Sequence, residues 1–354
     1  MRKKTVLVMA GGTGGHIMPA LAVAEHLRTK DWHVVWMGNP GSMEARLVPA
    51  RGFSILWINF SALRGKGLLR KLMLPLALLF GFAQAFLQIR RLRPDGVIGF
   101  GGYVSFPGGM MASLLGCPLV VHEQNSVAGL SNKVLATVAD RVLCGFPSAL
   151  NKGVWVGNPV RPEIAALPFP AARFAGRSGP LRLLVVGGSL GAAALNSIVP
   201  QALALLPTER RPIVTHQAGE KHLDVLQKNY QSAAVDANCI RFIDDLAAAY
   251  AEADVVICRS GALTVAELAA AGVAALLVPF PFAVDDHQTW NARFLADTGA
   301  AFLLPQSELT PEALAQRLDK LTRSALQAMA EAARVQAKPE ATQVVAKVLE
   351  DLAQ

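Results

Sequence analysis

CRSGALTVAELAAAG, residues Cys258 to Gly272, is the stretch of sequence that decides the fold. The apolar run Val255 to Ile257 before it predicts a buried strand, Arg259 to Gly261 predicts a turn, and Thr264 to Ala271 has helix-forming composition. A strand, a glycine turn and a helix start predict an anion site, because the first N–H groups of a helix are unpaired and carry partial positive charge. Glu267 lies where its carboxylate could face the ribose of a nucleotide.

The same residues also allow a purely structural interpretation. Thr264 and Glu267 fit the T-x-x-E capping box, in which the glutamate only bonds back to the N–H groups of its own helix. The local sequence leaves both interpretations open, so the choice depends on other stretches of the chain.

Length and composition indicate a large folded protein that favours anionic partners. A chain of 354 residues suggests about two domains, and 52% hydrophobic with 17% charged residues is typical of a folded protein. The net charge of +8 favours nucleic acid, an acidic membrane face or diphosphate substrates. Nucleic acid is the weakest of these, because three tyrosines and no basic-aromatic interleaving offer little stacking. We expect no nucleic-acid partner.

The cysteines point to a reduced compartment, and the N-terminus predicts a first strand. The four cysteines form no CxxC pair, so they indicate neither a zinc site nor a disulfide framework. MRKKTVLVMAGG has a basic start and a short apolar run, but it ends in glycines without a cleavage site. We interpret it as a first strand.

The opening of the chain has the pattern of a doubly wound α/β domain. Thr5 to Ala10 predicts a strand, Gly11 to His16 a glycine loop, Pro19 to Lys30 an amphipathic helix, and His33 to Met37 the next strand. Ligands bind such sheets at the carboxyl ends of the strands. The dinucleotide fingerprint GxGxxG is absent from the loop, which disfavours NAD.

A second α/β domain follows from an internal repeat. Leu181 to Val186, followed by GGSLGA at Gly187 to Ala192, repeats the opening pattern, which indicates two α/β domains facing each other. Asn158 to Pro170 is rich in proline and predicts the linker. The last predicted helix, about Glu340 to Gln354, has room to return to the first domain.

Leu68 to Leu87 is apolar nearly all round and has basic residues on both sides. A spanning helix needs about 20 apolar residues, and Pro75, Gly81 and Gln84 interrupt this run. It is therefore a buried helix, a helix with one face on an anionic bilayer, or both. The predicted membrane patch has two kinds of side chain: apolar ones that insert, Leu76, Leu79 and Phe82, and basic ones that attract the anionic surface, Lys71, Arg90 and Arg91.

Two further strands are predicted to end in polar residues. Asp95 to Gly109 is a strand followed by a glycine-rich loop, and Val120 to Asn125 is a strand that ends at the ligand edge of the sheet. His122, Glu123 and Asn125 could be catalytic or could be structural hydrogen-bonding groups.

Nine motifs, in order and across almost the whole chain, together resemble the MurG family of bacterial peptidoglycan N-acetylglucosaminyltransferases, in glycosyltransferase family 28. They are GGTGGH, LRGKG, GFGGYVSFPGG, HEQN, GNPVR, GGSLGA, FIDD, RSGALTVAE and DDHQTWN. The resemblance implies a GT-B fold, two Rossmann-like domains facing a central cleft that holds the active site. Residues 1–161 would form the acceptor and membrane domain, 162–339 the UDP-GlcNAc domain, and a helix at about 340–354 would pack back on the first.

The resemblance also implies the reaction and its partners. GlcNAc would move from UDP-GlcNAc, with inversion, to the 4-hydroxyl of MurNAc in lipid I, giving lipid II. The enzyme would be peripheral on the cytoplasmic face of the inner membrane, with an anionic membrane surface and other cell-wall synthesis proteins as partners. No cofactor and no structural metal are expected, although a divalent cation could stimulate activity.

The donor-binding positions are carried over from the family motifs residue by residue. They are Thr13, Gly14, Gly15, Asn125, Arg161, Ser189, Ile243, Ala262, Leu263, Thr264, Val265, Ala266, Glu267 and Gln288. Ser189 and the amides of its loop suit phosphate, Arg161 can add charge-assisted bonds, and Ile243 can offer backbone groups to uracil. Glu267 would accept from the ribose diol and Gln288 would bond the sugar. The chain departs from the family at Leu190 and His287, which puts donor affinity in question rather than donor identity.

His16 is the predicted base for the attacking hydroxyl, because it lies at a helix N-terminus where the dipole favours the neutral imidazole. Glu123 is the second candidate, and His16 could instead only donate to the diphosphate of the acceptor. The rival activities are another GT-B transferase that makes a glycolipid, a UDP-GlcNAc 2-epimerase, and a non-catalytic membrane scaffold that binds nucleotide sugars. The epimerase fits the Leu68 to Leu87 stretch poorly, and the scaffold has no need of GGTGGH and HEQN.

Overall fold

The computed structural model describes residues 2–60, 74–188 and 191–353. The chain divides into two compact units: the first is Met1–Val160 with Lys338–Gln354, and the second is Arg161–Ala337. The sequence predicts boundaries after residues 161 and 339, and the structural division falls after residues 160 and 337.

Within the described residues, the first unit contains a parallel sheet of seven strands. They are Thr5–Ala10 (β1), His33–Gly38 (β2), Ser54–Trp57 (β3), Gly96–Gly101 (β4), Leu119–Glu123 (β5), Arg141–Cys144 (β6) and Val154–Trp155 (β7). Their order in the sheet is β3-β2-β1-β4-β5-β6-β7. The strand order reverses between β1 and β4, and such a switch point opens a ligand crevice at the carboxyl ends of the strands.

Helices cover both faces of this sheet. They are Gly14–Thr29 (α1), Met43–Ala50 (α2), Leu74–Leu92 (α3), Ser105–Leu114 (α4) and Leu130–Leu135 (α5). Because side chains alternate along a strand, Val6 and Val8 pack in one buried cluster with Leu27 of α1, while Leu7 packs in the other with Ile89 of α3. The strands are therefore apolar on both faces, as in buried parallel sheets.

The second unit has six parallel strands among its described residues. They are Arg182–Val186 (β8), Ile213–Gln217 (β9), Asn238–Ile240 (β10), Val255–Cys258 (β11), Ala274–Leu277 (β12) and Ala301–Leu303 (β13). Their order is β10-β9-β8-β11-β12-β13, so the switch point lies between β8 and β11. The first six strands of the first unit and the six of the second therefore follow the same order, as the internal repeat predicts.

The helices of the second unit connect these strands. They are Pro162–Ala165 (α6), Pro170–Phe174 (α7), Ala193–Ala204 (α8), Leu223–Ser232 (α9), Leu246–Glu252 (α10), Ala262–Ala271 (α11), His287–Ala296 (α12), Pro311–Asp319 (α13) and Arg323–Val335 (α14), with short 3-10 turns at Thr208–Arg210, Val284–Asp286 and Gln306–Glu308. The last helix, Ala341–Leu352 (α15), belongs to the first unit, where Val345 and Leu349 join the buried cluster of α1.

Two predicted helix starts are wrong, and both helices begin earlier. Helix α1 begins at Gly14 rather than Pro19, with Thr13 as an extended N-cap, although glycine has low helix propensity. Helix α11 begins at Ala262 with Gly261 as its N-cap. Thr264 is then the third helical residue and not the cap, so the capping-box interpretation of Thr264 and Glu267 is wrong.

The apolar helix α3 also differs from its predicted range. It continues to Leu92, five residues beyond the predicted end, and stops before Arg93, which has a positive φ of 49°, and Pro94. Arg90 and Arg91 thus lie in its last turn, where positive charge complements the helix dipole. Residues 68–73 of the prediction lie outside the described residues.

Candidate functional site

In the first unit, the loops after three neighbouring strands form a polar edge. Strand β1 leads into the glycine loop before α1, β4 ends at Gly101, and β5 ends at Glu123. Gly101 has a φ of +102°, and a Cβ added there would lie 3.1 Å from Cδ2 of His16. The imidazole of His16 therefore packs closely against Gly101, where the positive φ favours glycine.

His16 is the third residue of α1 and is half-buried. Its Nδ1 lies 3.2 Å from the carbonyl oxygen of Gly11 and 3.3 Å from Oγ1 of Thr13. Because a carbonyl oxygen only accepts, Nδ1 carries the proton of the neutral ring and the lone pair is on Nε2. This tautomer is the one that a general base acting through Nε2 needs.

Glu44 is a residue of this edge that the sequence reasoning missed. Its buried carboxylate accepts from the backbone N–H of Gly12 at 3.1 Å and of Asn39 at 3.2 Å. It ties the loop after β1 to the loop after β2 and so fixes the glycine loop that precedes His16. A glutamate in the first turn of a helix gives no sequence signal for this role, because it is usually a solvated, dipole-compensating residue.

The carboxylate of Glu123 holds the loop after β5 in place. Its Oε1 accepts from the backbone N–H of Asn125 at 2.9 Å and from Nδ2 of Asn125 at 3.3 Å. Its Oε2 accepts from the N–H of Gly129 at 3.1 Å and from Nδ2 of Asn132 at 2.9 Å. With four hydrogen bonds in a buried position, this carboxylate orients the Asn125 loop rather than facing a hydroxyl.

His122 is a structural residue. Its Nε2 lies 3.0 Å from the carbonyl oxygen of Gly157, its Nδ1 lies 3.0 Å from Nε2 of Gln124, and it is fully buried. Burial lowers the pKa of His122 to about 4, so the ring is neutral at physiological pH.

In the second unit, the predicted anion site is the N-terminus of α11. Its N-cap is Gly261, which has no side chain to satisfy the first N–H groups of the helix. Leu263, Thr264 and Ala266 lie in the first turns with half-buried side chains, while the side chains of Ala262 and Val265 are buried. This segment can therefore contact a ligand chiefly through its backbone. Ser189 and Leu190, which follow β8 in the sequence, lie outside the described residues.

Arg161 and Glu267 form an ion pair with each other. Nε and Nη2 of Arg161 lie 2.9 and 2.8 Å from the same oxygen, Oε1 of Glu267. The Glu267 side chain is 4% exposed and that of Arg161 is 38% exposed. Burial raises the pKa of Glu267, and the positive charge of Arg161 opposes that rise. The structure thus brings together two residues that the sequence assigns to separate parts of the ligand, phosphate and ribose.

The other predicted donor residues lie on neighbouring loops. Ile243 is half-buried in the loop after β10. Gln288 lies in the first turn of α12, and its Oε1 accepts from the N–H of Phe280 at 3.0 Å, so its amide nitrogen is the group that remains to donate. His287 bonds the carbonyl oxygen of Val284 through Nδ1 at 2.7 Å.

The exposed face of α3 matches most of the predicted membrane patch. Leu76 and Leu79 are 67% and 65% exposed, and Arg90 and Arg91 are exposed as well. Phe82 differs from the prediction, because it is half-buried and packs edge-on against Phe106, with 5.6 Å between the two ring centroids. Exposed Phe80 takes its place beside Leu76 and Leu79. Lys71 lies outside the described residues.

Two absences hold for the described ranges, 2–60, 74–188 and 191–353, one of a metal cluster and one of a membrane-spanning helix. No three His, Cys, Asp or Glu side chains in these ranges are placed to share a metal ion. Across the same ranges, every helix is too short or too polar to cross a membrane.

Two family models match the chain. The one described as the glycosyltransferase family 28 N-terminal domain matches residues 6–144, and the C-terminal domain of the same family matches residues 182–347. The chain belongs to glycosyltransferase family 28. Family 28 membership confirms the resemblance that the nine motifs predict, and the two parallel α/β units are those of the predicted GT-B fold.

Full-length relatives agree with the family assignment. The chain is 67% identical over 351 residues to a protein of Azoarcus sp. (strain BH72) and 63% identical over 350 residues to one of Dechloromonas aromatica (strain RCB), with 99% of both chains covered in each case. Both are named UDP-N-acetylglucosamine--N-acetylmuramyl-(pentapeptide) pyrophosphoryl-undecaprenol N-acetylglucosamine transferase. The crystal structure of Acinetobacter baumannii MurG, 44% identical, matches 98% of this chain and 99% of its own with a TM-score of 0.87.

Proposed function

We propose that this protein is an inverting glycosyltransferase that moves GlcNAc from UDP-GlcNAc to the 4-hydroxyl of MurNAc in lipid I, forming lipid II for peptidoglycan synthesis. The observation that carries the proposal is the 67% identity, over 99% of both chains, to a transferase whose name states this donor sugar and this acceptor. The polar edges at the two switch points are where a family 28 enzyme of this kind would hold its substrates.

The second unit would bind UDP-GlcNAc. The first N–H groups of α11 suit the diphosphate, and so does the glycine loop with Ser189 that the GGSLGA motif predicts after β8. Backbone groups of Ile243 would form hydrogen bonds with uracil, and the amide nitrogen of Gln288 would donate to the sugar. Glu267 would accept from the ribose hydroxyls while Arg161 holds it in place.

The first unit would supply the base and bind lipid I. The 4-hydroxyl oxygen of MurNAc attacks C1 of GlcNAc, the bond from C1 to the UDP oxygen breaks, and Nε2 of His16 takes the hydroxyl proton. UDP leaves with its negative charge, which the N-terminus of α11 stabilises. Thr13, Gly14 and Gly15, beside His16, would contact the donor, and Asn125 would do so from the loop that Glu123 orients.

No cofactor enters this mechanism, because helix N-terminal charge and Arg161 act on the leaving group. A divalent cation would stimulate turnover without a structural role. We expect activity to persist in EDTA.

The exposed face of α3 would hold the protein on the cytoplasmic face of the inner membrane. Leu76, Leu79 and Phe80 would insert, and Arg90 and Arg91 would attract anionic lipid. This placement would bring the enzyme to its lipid-linked acceptor and to other cell-wall synthesis proteins.

A labelled transfer reaction tests the proposal. The protein is incubated with radiolabelled UDP-GlcNAc and either lipid I or diacylglycerol, and the lipids are extracted and separated. We expect label in lipid II only. Label in the diacylglycerol product would assign a glycolipid synthase, and label in neither lipid would remove the proposal.

A further inference from the structure

Gln217 ends β9, and its buried side chain lies between two loops of the second unit. Strand β9 has β8 on one side and β10 on the other. The last residue of β9 is therefore placed to reach both the loop after β8, which contains Gly188, and the loop after β10, which begins at Arg241.

The side-chain amide of Gln217 binds both loops at once. Its Oε1 accepts from the N–H of Gly188 at 3.0 Å, and its Nε2 donates to the carbonyl oxygen of Gly188 at 3.0 Å and to that of Arg241 at 3.1 Å. Both amide protons and the amide oxygen are thus engaged. A glutamate has the same length but no protons to donate when ionised, and an alanine can make none of these bonds.

The end of β9 that carries Gln217 is itself held rigidly. His216 is buried, with Nδ1 2.9 Å from the hydroxyl of Tyr230 and Nε2 3.1 Å from Oδ1 of Asn196. Asn196 in turn donates to the carbonyl oxygen of Ala218 at 3.0 Å. Burial lowers the pKa of His216 to about 3, so this network stays uncharged. The residues on both sides of Gln217 are therefore anchored.

We propose that Gln217 is a positioning residue that sets the spacing between these two loops and so favours a uridine diphosphate ligand over uridine alone. The inference rests on the proposed function, which assigns the diphosphate to the loop after β8 and uracil to the loop after β10. A ligand that contacts both loops gains from a spacing fixed in advance, whereas a ligand that contacts one loop does not.

Ligand binding by Gln217→Ala tests the inference. Each hydrogen bond from Gln217 to a loop contributes about 1 kcal/mol, and its loss lowers the equilibrium constant for the correct loop spacing by roughly fivefold. We therefore expect UDP to bind about tenfold or more weakly, and uridine to bind within about twofold of the parent protein, in competition calorimetry. In the transfer reaction, the KM for UDP-GlcNAc should rise by about tenfold, while kcat at saturating donor changes by less than about threefold.

Gln217→Glu provides a readout that a purely structural role would not change. At pH 8 the ionised carboxylate would face the carbonyl oxygens of Gly188 and Arg241, which repel it. At pH 6 a carboxyl raised in pKa by this burial would regain a proton and one of the lost hydrogen bonds. The affinity of this variant for UDP, divided by that of the parent at the same pH, should rise several-fold from pH 8 to pH 6.

Asn229→Ala is the matched control. It removes another amide-to-carbonyl bond of the same unit, from Nδ2 of Asn229 to the oxygen of Asn196 at 2.9 Å. We expect it to lower the melting temperature and to leave the ratio of UDP to uridine affinity unchanged. A parent-like ratio in Gln217→Ala, or a pH-independent relative affinity in Gln217→Glu, would overturn the inference and leave the proposed function intact. A parent protein that does not bind UDP would overturn both.

Discussion

Removal of the Arg161 guanidinium should make the stability of the protein depend strongly on pH. The Glu267 carboxylate is almost completely buried, and two guanidinium hydrogen bonds of 2.9 and 2.8 Å reach its Oε1. Burial already raises the pKa of Glu267, and the positive charge of Arg161 and its hydrogen bonds oppose that rise. In Arg161→Ala the pKa should rise further above its ordinary value of 4.5.

The size of the effect follows from the burial of the pair. Loss of one partner of a buried ion pair costs about 3–5 kcal/mol. Arg161 is 38% exposed, so water screens part of its charge, and we expect a loss of about 2 kcal/mol in the free energy of unfolding at pH 8.

The sign of the pH dependence follows from the raised pKa. A carboxyl whose folded-state pKa lies above its unfolded value stabilises the fold when protonated, and that stability is lost as the pH rises through the folded-state pKa. At pH 5 a larger fraction of the variant's carboxyl should be protonated than at pH 8, so the loss of stability should be smaller at pH 5.

Urea unfolding at pH 5 and pH 8 measures these differences. Adding Glu267→Gln to Arg161→Ala removes the buried charge and should recover most of the loss at pH 8. Arg51→Ala, which breaks an exposed pair with Glu25, is the control and should cost at most about 1 kcal/mol at both pH values. Equal losses of Arg161→Ala at the two pH values, or a double variant no more stable than Arg161→Ala at pH 8, would refute the reasoning.

Three further predictions concern the ligands. Glu267→Gln should weaken UDP binding about tenfold or more in calorimetry, and only the parent should distinguish UDP from 2′-deoxy-UDP; parent-like binding would exclude the ribose role. His16→Ala should lower kcat about a hundredfold or more at saturating lipid I without changing the Kd for UDP, and normal turnover would transfer the base role to another group. Leu79→Glu on α3 should reduce sedimentation with anionic vesicles, and parent binding should weaken with salt; equal, salt-insensitive binding to neutral vesicles would contradict the membrane role.

The strands were predictable because they are short apolar runs with clear ends. Thr5–Ala10 has the predicted bounds, and Val255–Cys258 extends one residue beyond the predicted run. The glycine loops after both strands correctly predict that helices follow. The start of α1 was not predictable from propensity, because Gly14 and Gly15 are poor helix formers that the packing of the α1 side chains against the sheet places in a helix nonetheless.

The residues that fix the loops were harder to predict than the strands. Glu44 and Gln217 bind backbone groups 32 and 29 residues away in the sequence. Any residue type can supply a backbone N–H or carbonyl, so no motif marks such partners. The burial of Phe82 was unpredictable for a similar reason. Its partner Phe106 lies on another helix, and the residues around either phenylalanine do not indicate the contact.

The product of the reaction tests the central claim most directly. The protein is incubated with UDP-GlcNAc, in which the sugar is α-linked, and with lipid I, and the purified lipid product is analysed by NMR for its linkage and anomeric configuration. Direct displacement at C1 predicts a β-linked GlcNAc on the 4-hydroxyl of MurNAc. An α-linked product, GlcNAc on another hydroxyl, or unchanged lipid I would contradict it.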